Sequence, residues 1–291
     1  MGDRLGGDYI VQRLLGTGGS SHVYLAENER LGGLYAIKEI APTDGCLAEL
    51  RLIEKLYHPA LPHVWASWEE NGKVYVAMDY VEGTQLSRLL RQRGAVSEEQ
   101  AVEWGKQLCK ALVYLHAFHP SVIYRDMKPA NVILQSNGKV KLIDFGAVTQ
   151  KAKRFGFDAA PIGTPGYAAP EQYGKRPHSD ARTDVYGLGV TLYHMLTGHD
   201  PSEPPYRICD IREWNKALSP TLAKIVRKCT AKWPFMRYQS CAALLKALEG
   251  YYERDARRKH RQGAKLFHRQ DAKIFHRQDT KLLRRPRAFS S

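Results

Sequence analysis

Three short stretches decide the fold: Tyr124-Arg125-Asp126-Met127-Lys128-Pro129-Ala130-Asn131, then Asp144-Phe145-Gly146, and further on Ala169-Pro170-Glu171. Asp144 follows Asp126 by 18 residues. Each stretch alone is too short to be specific. In this order and at these spacings, they would be very rare by chance.

Two features on the N-terminal side extend this pattern. Gly16-Thr17-Gly18-Gly19-Ser20-Ser21-His22-Val23 lies between two predicted strands, where glycines let backbone N–H groups approach phosphate oxygens. By itself, this stretch also fits a plain hairpin turn. Lys38 lies in an otherwise apolar strand and needs an anionic partner if it is buried. Glu49, on the next predicted helix, is a suitable partner, although Lys38 alone also fits a solvated strand face.

Hydrophobic patterning divides the body of the chain into two parts. Runs rich in Val, Ile, Tyr and Trp predict strands at 9–15, 23–28, 34–40, 63–68 and 74–80, with one helix between the third and the fourth. From residue 85, helical patterns dominate, with a long helix capped by Ser97 and Gln100. Further predicted elements are two short strands (132–135 and 140–143) and helices near 183–197, 219–231 and 239–252. Residues 81–85 are the expected hinge.

The composition is that of an ordinary globular protein of 291 residues, 43% hydrophobic and 25% charged. It contains no uninterrupted run of about 18 apolar residues and no apolar core of a signal peptide after Met1. We therefore expect a cytoplasmic location. The five cysteines are scattered without paired spacing, which argues against a disulfide framework and against a zinc site.

The positive charge is concentrated at the C-terminal end. Of the net charge of +14, residues 251–291 carry 13 basic and 4 acidic residues, or +9, which leaves +5 for the first 250. A basic sequence that starts at His260 repeats there every eight residues. This tail fits a solvated, partly helical extension. It also fits a segment that contacts an acidic surface, either nucleic acid or an anionic membrane.

Taken together, the motifs resemble the eukaryotic-type protein kinases, and most of all the compact serine/threonine kinases of bacteria. The resemblance covers roughly residues 8–250. It implies an α+β, two-lobed protein-kinase-like fold, with a small antiparallel β N-lobe that contains one helix and a larger, mainly helical C-lobe. The implied limits are about 8–80 for the N-lobe and about 85–250 for the C-lobe, followed by the tail at 251–291.

The resemblance also implies a role for each motif. Asp126 would orient the substrate hydroxyl group and accept its proton, with Lys128 near the γ-phosphate and Thr164 in contact with both. Lys38 would bind the α- and β-phosphates and pair with Glu49. Asn131 and Asp144 would hold Mg²⁺. The implied nucleotide-binding residues are Gly16, Thr17, Gly18, Gly19, Ser20, Ser21, Val23, Ala36, Lys38, Met78, Asp79, Val81 and Ile133.

Two supporting features follow from the same resemblance. Asp184 would be the buried anchor of the catalytic loop, and Glu171 and Arg237 would form a buried ion pair. The activation segment is unusual, because the stretch between Phe145 and Glu171 has no serine and contains Thr149 and Thr164 as its two threonines. We therefore hypothesise that activity needs little or no phosphorylation of this segment.

These inferences predict a non-specific serine/threonine protein kinase that uses ATP and Mg²⁺, acts on protein substrates and serves bacterial signalling and autophosphorylation. A homodimer for autophosphorylation stays open. One alternative is a pseudokinase scaffold, against which the intact Lys38, Asp126, Asn131 and Asp144 argue. The other is a polyanion-binding protein that acts through its basic tail.

Overall fold

The computed structural model divides the chain into two units, Met1–Leu248 and Glu249–Ser291. The residues that it describes are 2–18, 21–41, 50, 53–144, 149–150, 163–173, 177–204 and 206–253. The described part of the second unit is 249–253, so the architecture below is that of the first unit. The repeats that start at His260 lie outside the described residues, and the interpretations of the tail stay predictions.

The N-terminal part is a six-stranded antiparallel sheet with the strand order β1-β2-β3-β4-β6-β5. Each of the five strands predicted from the sequence overlaps one of its members. The Asn71-Gly72 turn takes positive φ values at both residues, as a two-residue hairpin turn requires, and Gly32 and Gly33, in the longer loop 29–33, also have positive φ. The strands are β1 Arg4–Leu5, β2 Tyr9–Thr17, β3 Ser21–Asn28, β4 Leu34–Ile40, β5 Val64–Glu70 and β6 Lys73–Asp79.

The two faces of this sheet differ in chemistry. One face carries a buried cluster made of Tyr9, Ala26, Ile37, Tyr75 and Ala77. Trp68 extends it, since its ring stacks on Tyr9 at 5.5 Å and on Tyr75 at 5.6 Å between ring centroids. Side chains alternate between faces along a strand, and directly paired residues share a face. The opposite face therefore carries Val23, Ala36, Lys38 and Met78, which the register pairs as Val23 with Lys38 and Ala36 with Met78.

The helix predicted between β4 and β5 is described in part. Leu50 and Ile53 are helical and buried, and the Glu54 amide donates to the Leu50 carbonyl at 2.9 Å. Glu49, the predicted partner of Lys38, lies outside the described residues.

The C-terminal part is mainly helical. Its longest helix begins at Ser97, whose hydroxyl accepts from the Gln100 amide while the Gln100 side chain accepts from the Ser97 amide, each at 3.2 Å. This capping box is the one that the sequence predicts. The helices are α1 Leu86–Arg93, α2 Glu98–His116, α3 Ala181–Thr197, α4 Ile211–Trp214, α5 Pro220–Cys229 and α6 Cys241–Glu249. Residues 183–196 of α3 are all buried, so α3 is the central helix of this lobe.

The predicted hinge is fixed to the helical lobe by a small sheet. Its last residues form β7 (Thr84–Gln85), which pairs with β9 (Val132–Leu134), and β9 pairs with β10 (Val140–Leu142). Gly83 has φ of 149°, and a Cβ there would lie 2.3 Å from the Leu134 carbonyl oxygen. This close approach of backbone to backbone needs glycine. A further two-stranded sheet joins β8 (Val122–Ile123) to β11 (Thr149–Gln150).

None of the helices that the structure describes combines the length and the apolar surface needed to cross a lipid bilayer. The four described cysteines, Cys109, Cys209, Cys229 and Cys241, are free thiols. Burial raises the pKa of the Cys229 and Cys241 thiols, which keeps both protonated and unreactive at neutral pH.

A buried ion pair lies inside the helical lobe. The Arg237 guanidinium is fully buried, and its two terminal nitrogens donate to the Glu171 carboxylate at 2.6 and 2.8 Å. Its other donors reach the carbonyls of Ala231, Arg182 and Lys232 at 2.8–3.0 Å. The guanidinium carbon also lies 4.7 Å from the centre of the Tyr186 ring. The pair thus ties residues 170–172 to the lobe.

Replacing Glu171 with glutamine should lower the free energy of unfolding by about 3–5 kcal/mol, because it leaves a buried guanidinium without its counter-charge. Urea denaturation followed by fluorescence measures this change.

The matched control is Glu103→Gln, the same chemical change at an exposed pair in α2, where Lys106 Nζ lies 2.7 Å from the carboxylate. Such pairs contribute about 1 kcal/mol or less. Equal losses for the two variants would contradict the structural role assigned to Glu171.

Candidate active site

The loop that carries Asp126 is built on the buried Asp184 carboxylate near the start of α3. This carboxylate accepts hydrogen bonds from the Tyr124 amide at 2.9 Å, the Arg125 amide at 2.7 Å and His116 Nε2 at 2.8 Å. Arg125 adopts a left-handed backbone conformation, with φ of 71°. A non-glycine residue holds such a conformation when its surroundings fix it. The hydrogen bonds from the two backbone amides to Asp184 supply that constraint and set the direction in which Asp126 points.

The Asp126 carboxylate is oriented by three donors. Lys128 Nζ lies 2.8 Å from Oδ2, and Asn131 Nδ2 donates to Oδ2 at 3.0 Å and to the Asp126 carbonyl at 2.9 Å. The Thr164 hydroxyl donates to Oδ1 at 2.7 Å and accepts from Lys128 Nζ at 2.5 Å. Asp126, Lys128, Asn131 and Thr164 therefore lie together, although Thr164 is 38 residues from Asp126 in sequence.

A second charged group, from the sheet, reaches this site. Lys38 on β4 is nearly buried, and its ammonium contacts the Asp144 carboxylate, which is 42% exposed. The Ile143 amide donates to the Asn131 carbonyl at 2.8 Å, and the Tyr124 hydroxyl donates to the Ile143 carbonyl. These bonds hold Asp144 beside the Asp126 loop. The contact between Lys38 and Asp144 is a pairing that the sequence pattern did not indicate.

Burial and the neighbouring carboxylates of Asp144 and Asp126 raise the pKa of the Tyr124 phenol well above its usual value. The phenol is therefore neutral at any physiological pH and keeps its proton as a donor. The Tyr124 hydroxyl therefore serves as a fixed link between the loop of Asp126 and the loop of Asp144.

The donor set fits a magnesium ion that is bound together with phosphate groups. Asn131 uses its amide nitrogen on Asp126, so its amide oxygen is the atom suited to a metal, alongside a carboxylate oxygen of Asp144. Mg²⁺ commonly takes one or two protein ligands and completes its shell with water and substrate phosphates. In the described ranges, no group of three or more His, Cys, Asp or Glu is arranged to hold a metal ion, so no all-protein site is described.

The glycine-rich stretch closes the hairpin between β2 and β3. Gly16 pairs with Val23 and Thr17 with His22, and the Gly18 amide donates to the Ser21 carbonyl at 2.8 Å. Gly19 and Ser20 lie outside the described residues.

Most of the remaining residues predicted to bind the nucleotide lie in two places. One is the face of the six-stranded sheet that carries Lys38, and the other is the small sheet of β7, β9 and β10. Val23, Ala36 and Met78 share the face of Lys38, and Ile133 pairs with Gln85 in β7. The end of β6, just before the hinge, is held in place by the Asp79 carboxylate, which accepts from the His63 amide at 3.0 Å and from Trp65 Nε1 at 2.8 Å. Val81, two residues further along, is half-buried.

The segment that contains Thr164 is fixed to the helical lobe on its other side. Gly166 has φ of 85°, and a Cβ there would lie 2.5 Å from the Pro201 carbonyl oxygen. The Tyr167 hydroxyl bonds His194 Nδ1 at 2.5 Å and donates to Asp200 at 3.1 Å. Burial raises the pKa of Tyr167 and lowers that of His194, so both are neutral at pH 7.

Two positioning contacts have no signal in the sequence. Gln172 accepts from the Ala169 amide at 2.8 Å and donates to the Arg125 carbonyl at 3.0 Å, which joins the Thr164 segment to the Asp126 loop. His116, the last residue of α2, supplies the third donor to Asp184. Their side chains meet their partners across 47 and 68 residues of sequence, so only the folded chain reveals them.

Comparisons with known proteins place this geometry in context. Residues 9–248 match the family described as protein kinase domain. The chain is 35% identical over 263 residues to a protein named "Probable serine/threonine-protein kinase SCO3848" from Streptomyces coelicolor, covering 81% of this chain and 39% of that protein. It is 33% identical over 262 residues to serine/threonine-protein kinase PknB of Mycolicibacterium smegmatis, covering 81% of this chain and 41% of that protein.

Among solved structures, the chain is similar to the kinase domain of PknI from Mycobacterium tuberculosis, with a TM-score of 0.69 and 25% sequence identity, covering 86% of this chain and 98% of that one. The two-lobed fold predicted from the sequence is thereby confirmed. The chain spans about two fifths of the length of these bacterial curated relatives.

Replacing Asp184 with asparagine should loosen the Asp126 loop. The asparagine side chain has an NH₂ group in place of one carboxylate oxygen, so one of the two backbone N–H groups would lose its acceptor. We expect faster hydrogen exchange at the Tyr124 and Arg125 amides and a loss of about 1–3 kcal/mol of unfolding free energy.

The control is Asp210→Asn at the N-terminus of α4, where asparagine caps a helix about as well as aspartate. Unchanged exchange at Tyr124 and Arg125 in the Asp184 variant would contradict the anchoring role.

Proposed function

The chain belongs to the protein kinase family, and on that premise we propose that it is a serine/threonine protein kinase that transfers the γ-phosphoryl group of ATP to a hydroxyl group of a protein substrate. The observation that carries the proposal is the Asp126 carboxylate, which Asn131, Lys128 and Thr164 hold in one orientation next to the Lys38–Asp144 pair. Phosphoryl transfer depends mainly on such positioning and on charge neutralisation.

Each residue then has a definable task. Asp126 orients the substrate hydroxyl and takes up its proton as the oxygen–phosphorus bond forms, and the bond from phosphorus to the leaving ADP oxygen breaks. Lys128 places a positive charge beside Asp126, where the transferred phosphoryl group carries its negative charge. Lys38 on β4, whose side chain is nearly buried, is suited to bind the α- and β-phosphates. Asn131 and Asp144 would hold Mg²⁺, which when bound neutralises the phosphate charge.

The substrate class is inferred from the Thr164 segment. Gly163 to Tyr167 is pinned against Pro201 and His194, so it offers a fixed surface next to Asp126 on which an extended protein segment can lie. The bonds from Thr164 to Asp126 and Lys128 are those that the resemblance to serine/threonine kinases implied. They favour aliphatic hydroxyl groups over tyrosine as acceptors.

A cytoplasmic location, self-association for autophosphorylation and a contact between the basic tail and an acidic surface stay predictions from the sequence. Salt-dependent binding to a polyanion that is lost on truncation after residue 250 would support the role of the tail.

Asp126→Asn should lower the turnover of ATP on a generic basic protein such as histone or myelin basic protein by about 100- to 10,000-fold, since the amide cannot accept the substrate proton. The measurement is transfer of labelled phosphate at saturating Mg²⁺ and ATP.

Asp8→Asn, a change of the same chemistry away from the site, is the control and should leave the rate unchanged. If the natural chain is no faster than the Asp126 variant, the pseudokinase scaffold is the correct reading.

Phosphorylation of the activation segment should not be required. The Thr164 hydroxyl is already bonded to Asp126 and Lys128, and a phosphate there would put negative charge against Asp126. Protein co-expressed with a phosphatase should therefore keep its turnover within about twofold of the untreated protein. A large drop that autophosphorylation restores would refute this expectation.

A further inference from the structure

A groove on the helical lobe lies apart from the residues of the candidate active site. It is bounded by α4, α5 and residues 230–236 and has a volume of about 710 Å³. Ile211 and Val226 lie beneath the groove and are almost fully buried, so they join it to the core. The apolar side chains that a ligand can reach are those of Trp233 and Met236, which are 55% and 56% exposed. A concave space of this size is typical of binding sites. We call it the α4–α5 groove.

The rim of the α4–α5 groove is strongly basic. Its exposed cationic residues are Lys224, Arg227, Lys228 and Lys232. Among the described residues that line the groove, Asp210 is the acidic one, and its carboxylate is engaged in capping α4 through the Arg212 amide at 2.9 Å. Two of the cations lie over aromatic rings, Lys228 at 4.4 Å from the centre of Tyr238 and Lys232 at 5.4 Å from that of Trp233. The rim therefore presents a positive field around the exposed apolar side chains of Trp233 and Met236.

One wall of the groove is continuous with the support of the Thr164 segment. Ile208, which lines the groove, packs against the cluster of Tyr167, Ala169, Tyr186 and Val190. Tyr167 is the last residue of the segment Gly163 to Tyr167, whose Thr164 contacts Asp126, and Ala169 follows it closely. A molecule held in the groove thus lies on the same lobe and against the same core as the surface proposed for the phosphoacceptor.

We propose that the α4–α5 groove binds a segment of a partner protein in which bulky apolar side chains are flanked by aspartates and glutamates. The apolar anchors pack against Trp233 and Met236, and the flanking carboxylates meet the four rim cations. This proposal goes beyond the kinase activity and needs no catalytic step.

Charge and shape favour this occupant over the others. A nucleic-acid duplex would satisfy the rim cations with its phosphates, but its stacked bases would leave Trp233 and Met236 uncovered. The chain's own tail carries a net charge of +9 over residues 251–291, so the basic rim repels it. A second copy of the chain would bring a body of net charge +5 over its first 250 residues, which does not complement the rim.

The test is direct binding to the full-length protein, followed by fluorescence anisotropy. The probe is a short labelled peptide with two leucines and a phenylalanine between clusters of glutamate. A second peptide has serines in place of the apolar residues, and it reports the attraction due to charge alone, including that of the tail. We expect the apolar–acidic peptide to bind about tenfold more tightly than the serine peptide. We also expect its affinity to fall as the salt concentration rises.

Two sets of variants locate the site. Lys224→Glu combined with Lys228→Glu, and separately Trp233→Ala, should each weaken the apolar–acidic peptide by about tenfold. Lys55→Glu combined with Lys110→Glu makes the same change in net charge at exposed positions that do not line the groove, and it should change the affinity by less than about twofold. All the substituted side chains are exposed, and a thermal melt checks that each variant is folded.

Equal affinity of the groove variants and the control variant would overturn the proposal. It would also be overturned if the groove variants lost binding to a single-stranded oligonucleotide, or to vesicles that contain phosphatidylserine, while still binding the peptide. Loss of self-association in the groove variants, with peptide binding intact, would assign the surface to a second copy and overturn the proposal as well.

Discussion

The buried Asp184 carboxylate is the constraint on which the site depends. It is the acceptor that lets two consecutive backbone amides, those of Tyr124 and Arg125, point into the protein while Arg125 takes a left-handed conformation. A buried carboxylate is costly unless donors surround it, and here three donors do so. The resulting backbone turn points Asp126 toward Lys128, Asn131 and Thr164. The direction of the Asp126 side chain is therefore set by Asp184 of α3 rather than by the loop alone.

The rest of the site is assembled by links between segments that are distant in sequence. The Lys38–Asp144 contact joins the sheet to the acidic loop, and Gln172 joins the Thr164 segment to the Asp126 loop. Gly83 lets the hinge lie against β9, which fixes where the sheet meets the helical lobe. Each link uses a charge, an amide or a close backbone approach. The strands and helices thereby fix the positions of the loops that carry the site residues.

Much of the fold and of the candidate site could be predicted from the sequence, because the motif residues can be recognised by their type and spacing. Lys38, Asp126, Asn131 and Asp144 stand in motifs that the sequence shows, and Thr164 follows from the resemblance to serine/threonine kinases. The five longer strands follow from alternation and turn residues. The two-residue strands, β1, β7, β8 and β11, and the helices α1 and α4 were missed. Short strands exist because of their partners, and they have too few residues to show a period. The roles of His116 and Gln172 arise from long-range contacts, for which a single sequence holds no signal.

Two carboxylates, an amide and two ammonium groups converge between the sheet and the helical lobe, where we expect them to hold one metal-bound nucleotide. A crystal structure with Mg²⁺ and a non-hydrolysable ATP analogue would show the arrangement. We expect the α- and β-phosphates at Lys38, the metal bound by Asn131 and Asp144, and the γ-phosphate near Lys128 and Asp126. A nucleotide bound elsewhere, or a metal that contacts neither Asn131 nor Asp144, would rule this arrangement out.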